Sequence, residues 1–165
     1  PEAPLEFITT GGKEYETDET FDVVSCIGAS WIWDGHEGTL RAMKSLAKPG
    51  GLLVVGEPWW MADPSDDYLE ADGLKREQFG TLAECRQTAL DLDLEPVWMA
   101  GSTTEEWDRY EMLQTASVAQ FAQKQPNHAD LAEIREGRAK ADEIYLKWGR
   151  KHVGFALWVW RLSTA

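Results

Sequence analysis

Two short apolar runs, Phe21–Ile27 and Leu52–Gly56, stand one helix-length apart, and their spacing constrains this chain more than any other feature. Each is continuous rather than alternating and carries β-branched residues, the pattern of a strand covered on both faces. Between them, Asp34 followed three positions later by Glu37 reads as a capping box opening a helix. Leu40, Met43 and Ala47 fall on one face of that helix, and Pro49-Gly50-Gly51 is expected to end it. Strand, helix and strand at this spacing make a βαβ unit, with parallel strands and a right-handed crossover.

The remaining chain continues the alternation without internal repeats, which argues for an α/β fold. Leu5–Ile8 is a short strand candidate, broken by Thr9-Thr10-Gly11-Gly12. Residues 58–80 are rich in Pro, Asp and Gly and read as irregular. Thr81 with Glu84 caps a helix through about Leu90, and Leu94–Ala100 reads as a strand. Thr103 with Glu106 opens a third helix, whose Trp107, Tyr110, Gln114, Ser117, Val118 and Phe121 share a face until Pro126-Asn127. A fourth helix carries Leu131, Ile134, Arg138, Ala141, Tyr145 and Trp148 on one face. In the final strand, Val153–Leu162, Phe155, Leu157 and Val159 point one way and Ala156, Trp158 and Trp160 the other.

Composition removes several function classes. A formal net charge of −13 repels phosphate backbones, which excludes nucleic acid as a partner. Two cysteines, Cys26 and Cys85, supply neither a disulfide framework nor a four-ligand zinc site, and no metal is expected. There is no apolar run of the roughly 20 residues that span a bilayer, and no signal peptide is expected, so a membrane partner is not expected and a cytoplasmic location is. The chain opens Pro1-Glu2-Ala3-Pro4, which suggests a start inside a longer protein. Its 165 residues, 43% hydrophobic, suffice for a packed core, and its nine tryptophans can wall an apolar pocket as well as fill that core.

Two segments carry a family resemblance. Phe21-Asp22-Val23-Val24-Ser25-Cys26-Ile27-Gly28-Ala29-Ser30 resembles the fourth-strand motif of the class I S-adenosylmethionine-dependent methyltransferases. Leu46-Ala47-Lys48-Pro49-Gly50-Gly51-Leu52-Leu53-Val54-Val55-Gly56-Glu57-Pro58 resembles their fifth-strand motif. The pairing of Cys-Ile-Gly-Ala-Ser with Gly-Glu-Pro-Trp-Trp is similar to the small-molecule branch of that family. The resemblance implies a partial Rossmann-like sheet, mostly parallel with an antiparallel last strand and helices on both faces. Residues 1–165 would be the C-terminal part of one methyltransferase domain, with residues 103–150 a helical insertion able to act as a lid. The implied strand order is Phe21–Ile27, Leu52–Gly56, the last strand, then Leu94–Ala100.

The family's donor-binding glycine loop and its ribose-holding acid have no counterpart in these 165 residues, so this segment alone is not expected to turn over. Leu5–Ile8 would be the family's third strand. Either the missing half or a second chain, as in a homo-oligomer, is expected to cover the free edge of Phe21–Ile27.

By resemblance the cofactor is S-adenosylmethionine, with Cys26, Ile27, Gly28 and Ala29 at the donor site. Ligands of open α/β sheets bind beyond the strand carboxyl ends. Ser30, Trp31, Glu57, Trp59, Trp60, Trp107 and Tyr110 are therefore expected to border one cavity for a small-molecule substrate, and Trp60→Ala to lower turnover more than stability. His36 is the candidate base, since an imidazole titrates near neutral pH. Buried at the inner end of an apolar strand, Cys26 is expected to be an inert structural thiol. The alternative function is a non-catalytic module that uses the same half-sheet for binding.

Overall fold

The computed structural model describes residues 5–164, so the opening Pro1-Glu2-Ala3-Pro4 lies outside the described residues. Four strands, β1 (Phe21–Ile27), β2 (Ala47–Trp60), β3 (Leu94–Gly101) and β4 (Val153–Leu162), form one sheet in the order β1-β2-β4-β3. β1 and β2 are parallel, and β4 runs antiparallel to both of its neighbours. This is the expected α/β, Rossmann-like arrangement, with the last strand inserted between β2 and β3.

One face of the sheet carries the core. Val24 and Cys26 of β1, Leu53 and Val55 of β2, and Ala156, Trp158 and Trp160 of β4 all point to it. Helix α1 (His36–Leu46) lays Leu40 and Met43 on that face. Farther along the chain come α2 (Asp66–Asp72) and α3 (Leu82–Asp91), and α3 adds Cys85 and Ala89. Each fully buried leucine here contributes about 1.5–3 kcal/mol. The rings of Trp158 and Trp160, two residues apart on one strand, stack with centroids 4.8 Å apart.

The opposite face is covered at one end by a helical layer, α4 (Thr104–Lys124) and α5 (Leu131–Ile144), inserted between β3 and β4. Trp107 of α4 stacks on Phe155 of β4 with centroids 5.9 Å apart. Away from that end the face is open, with Val23, Ile27 and Trp98 more than half exposed. A π turn, Tyr145–Gly149, and the short α6 (Arg150–His152) lead from α5 into β4.

Five local expectations need correction. Leu5–Ile8 is not a strand: it lies outside the sheet with Leu5, Phe7 and Ile8 exposed, and the described residues offer it no neighbouring strand to pair with. Asp34 does not cap α1. It sits in the left-handed region at φ 61°, paired with Lys13, while Gly35 is the N-cap. Pro49-Gly50-Gly51 does not end the helix, which stops at Leu46; the tripeptide lies in a bulge of β2, where the register jumps from Phe21 opposite Ala47 to Val23 opposite Leu52. Ala47 accordingly starts the strand instead of finishing the helix. Finally, residues 58–80 contain α2, capped by Ser65, whose hydroxyl accepts from the Tyr68 amide. Both threonine capping boxes, Thr81 with Glu84 and Thr103 with Glu106, form as read.

Candidate functional site

At the carboxyl end of β1, Ile27 lies opposite Gly56, and the Gly28 amide donates to the Gly56 carbonyl at 2.8 Å. Gly28 then turns the chain at φ 69°, a conformation that costs other residues about 1–2 kcal/mol. Space is open beside it: a side chain there would meet nothing within 4 Å. The turn Ser30–Trp33 follows. Ser30 is buried, and its carbonyl accepts from the Gly35 amide at 3.0 Å and the Thr39 hydroxyl at 3.3 Å. Trp31 is exposed and lines a cleft with Ser30, Gly35, Lys75 and Phe79.

Strand alternation at the end of β2 sends Glu57 and Pro58 to opposite faces. Glu57 turns toward α1 and α3 and is 4% exposed. Its Oε1 meets His36 Nδ1, while His36 Nε2 donates to the Cys85 carbonyl at 3.1 Å. Nε2 must carry a hydrogen to make that bond, and Nδ1 is thereby turned toward the Glu57 carboxylate. Both ring nitrogens are thus engaged inside the core, which leaves the candidate base holding Glu57 in place. Cys85 joins this knot: the donor atoms of His36, Glu57 and Cys85 lie within 4.8 Å of one another. That donor set suits a divalent ion, and sequence spacing gave no sign of it. Burial, with Glu57 adding to it, pushes the Cys85 thiol up to about 12. Desolvation also raises Cys26, which is buried as expected.

The tryptophans after Glu57 pack. Trp59 lies against Gly154, its partner across the sheet. Trp60 is 5% exposed, donates its indole N–H to the Arg76 carbonyl at 2.8 Å, and packs on Tyr68 and Phe79.

On the Pro58 side, a cavity of about 240 Å³ opens between β2, α2, α4 and α5. Tyr68, Phe79, Trp107 and Tyr145 form its aromatic walls, and Asp72, Glu111 and Arg138 are its charged lining. Tyr110 is half exposed and stacks on the outer side of this group, 5.2 Å from Trp107. Ion pairs hold the layer together. Arg138 reaches Glu111 at 3.3 Å and Asp142 at 2.8 Å. Asp108 takes two bonds from Arg150 and one from the Tyr145 hydroxyl, and these donors hold its carboxyl below the usual range.

The residues expected around one cavity are therefore distributed. Trp107 lines the cavity and Tyr110 backs it; Ser30 and Trp31 line a separate cleft; Trp60 borders a third, with Asp63 and Arg76; Glu57 and His36 lie in the core behind the sheet. Phe79 borders all three openings. Sequence reasoning missed Tyr68, Asp72, Phe79 and Glu111. One signal was available: Ser65 ahead of Asp66-Asp67 marks a helix start in the supposedly irregular segment. Another was Arg138 sitting in an otherwise apolar stripe.

The strand order, the antiparallel β4 and the glycine turn closing β1 define the fold of the S-adenosylmethionine-dependent methyltransferases. The chain is similar to a Geobacter sulfurreducens SAM-dependent methyltransferase solved with S-adenosyl-L-homocysteine, at 25% identity over 94% of this chain and a TM-score of 0.84. A Thiobacillus denitrificans SAM-dependent methyltransferase, solved with the same ligand, matches 93% of this chain at 28% identity and a TM-score of 0.82. The uncharacterized protein YjhP of Escherichia coli is 29% identical over 155 residues, and its crystal structure superimposes with a TM-score of 0.84. The chain spans 62% of the length of YjhP and 63% of each methyltransferase. No family model matches it. Among the described residues, no helix is long and apolar enough to cross a membrane.

Proposed function

We propose that this chain forms the acceptor-side part of a cytoplasmic methyltransferase that moves a methyl group from S-adenosylmethionine to a small molecule. The observation that carries this reading is the open glycine turn at the end of β1, within a sheet matching two methyltransferases solved with S-adenosyl-L-homocysteine. Cys26, Ile27, Gly28 and Ala29 are assigned to the donor. Bound there, the donor supplies a sulfonium-activated methyl group.

The residues of this chain do the rest. Gly28, lacking a side chain, permits close backbone approach. The β2 end and the α4–α5 layer orient the acceptor and keep water from it, which in-line displacement requires. Trp31, Trp107 and Tyr110 are assigned to the acceptor side, with α4 and α5 as a lid. Glu57 and His36 position the end of β2 rather than move protons. Trp59, Trp60 and Ser30 support the walls by packing.

The test is calorimetric titration of the whole protein with S-adenosyl-L-homocysteine, followed by methylation of a metabolite extract with labelled donor. Binding that Gly28→Val abolishes supports the reading; a folded protein with no donor binding sinks it. One observation favours the second reading, a binding module: among the described residues the outer edge of β1 is unpaired, and Val23 and Ile27 are exposed beside it. Such an edge invites pairing with another segment or a second copy. Light scattering on the protein together with the donor titration separates the two readings.

A further inference from the structure

The cavity behind Pro58 has a charge balance that aromatic packing alone does not require. Asp72 and Glu111 line it, and Asp108 and Asp142 stand directly behind its wall, bonded to Tyr145 and Arg138. Among the described residues, two guanidiniums pair with these carboxylates. Arg138 is shared between Glu111 and Asp142, and Arg150 is committed to Asp108 through two bonds. Within this group, four carboxylates against two guanidiniums leave a surplus of two negative charges around a chamber whose other walls are apolar and include the rings of Tyr68, Phe79, Trp107 and Tyr145.

The phenols do not relieve this surplus. Burial, then the Asp72 carboxylate, pushes the Tyr68 hydroxyl up, and burial, then Asp108, does the same for Tyr145, so both remain neutral. Ring faces and carboxylates together are the chemistry that recognises an organic cation, through cation–π attraction and direct charge pairing. The chamber is also placed for use. Pro58 lies two residues beyond Gly56, whose carbonyl holds the Gly28 amide at the proposed donor site. Its floor includes Gly149, the end of the π turn, where a side chain would press on the Tyr145 ring. Such turns cost regular hydrogen bonding and are frequent at functional sites.

We propose that this cavity binds a small organic cation, an ammonium or amine-bearing group, with Asp72 and Glu111 as its counter-charges and Tyr68, Phe79 and Trp107 as its aromatic walls. Resting on the methyl-transfer reading, the proposal makes the acceptor a molecule with a positively charged head. Glu111 recognises that charge from the floor, and Asp72 from the exposed rim.

The experiment needs no turnover. The whole protein is titrated calorimetrically with choline, with tetramethylammonium, and with 3,3-dimethylbutan-1-ol, the uncharged isostere of choline. A cation bound by charge and ring faces is expected to bind about tenfold tighter than the isostere. Asp72→Asn, an exposed substitution, and Glu111→Gln are each expected to weaken choline about three- to tenfold while leaving the isostere unchanged. Circular dichroism checks that both variants fold. Equal affinity for choline and its isostere, no binding of either cation, or folded variants that bind choline like the parent protein would each overturn the proposal. A parallel titration with S-adenosyl-L-homocysteine keeps the two readings apart. Cation binding without donor binding upholds the cavity and sinks methyl transfer, and donor binding without cation discrimination does the reverse.

Discussion

Replacing His36 with alanine removes the ion-pair partner of Glu57, a carboxylate whose side chain is 5% exposed. The imidazole is itself 12% exposed, so both partners left water on folding. With the ring gone, Glu57 stays in the core without its partner, and the Cys85 carbonyl loses a donor. Breaking a buried pair from one side costs about 3–5 kcal/mol, and the orphaned carbonyl raises that figure. Glu57→Gln should cost only about 1 kcal/mol, because an amide can still donate to Nδ1. The double variant His36→Leu with Glu57→Met replaces the pair by apolar groups of similar volume. It should therefore be more stable than His36→Ala, as replaced buried pairs often are. Urea unfolding followed by circular dichroism, extrapolated linearly to water, gives each value. A His36→Ala cost below about 1 kcal/mol would refute the reasoning, as would a double variant no more stable than His36→Ala.

Three further outcomes are expected. Gly38→Ala places a Cβ against the Trp33 carbonyl, a backbone atom that cannot step aside, and should cost about 1–3 kcal/mol in the same assay; an unchanged midpoint would contradict the packing described. The Cys85 thiol, raised to about 12, should resist alkylation at pH 8 until the protein is unfolded. Because the unfolded thiol ionises near 9 and the folded one does not, stability falls as pH rises from 9 toward 12, by up to about 1.4 kcal/mol per unit, and Cys85→Ala should flatten that slope. Trp60→Ala empties a site 5% exposed and breaks the bond to Arg76, so it should cost about 3–5 kcal/mol of stability; a loss of turnover at unchanged stability would restore the pocket role expected from sequence.

Much of the architecture is written locally. Continuous apolar runs gave β1 and the central stretch of β2, strand-like stretches gave β3 and the alternating β4, and the threonine–glutamate boxes gave the starts of α3 and α4, because each signal lies within a few neighbouring residues. The motif resemblance around Gly28 and Gly56 supplied the strand order, including the antiparallel insertion of β4. Boundaries were less legible where tertiary pairing overrode local preference. Pro49-Gly50-Gly51 looks like a helix stop, yet β1 recruits that stretch into a bulged strand. Leu5–Ile8 has strand-like residues and no strand partner among the described residues, so it stays outside the sheet.

The site divides the same way. That chemistry would gather at the ends of β1 and β2 follows from the sheet direction, and the sequence located those ends. Which side chains share a chamber depends on quantities that neighbouring residues do not encode. Alternation along β2 carries Glu57 behind the sheet and Pro58 in front of it, so adjacent residues serve different faces. α2 brings Tyr68 and Asp72 against Glu111 and Arg138, residues distant in the chain and joined only when the helices pack. The sequence by itself determined the α/β class, most of the strands and helices, and the two glycines that pin the end of β1. The tertiary structure alone decided the His36–Glu57 knot and the acidic aromatic cavity, because burial and charge balance arise from groups that meet only after the chain has closed on itself.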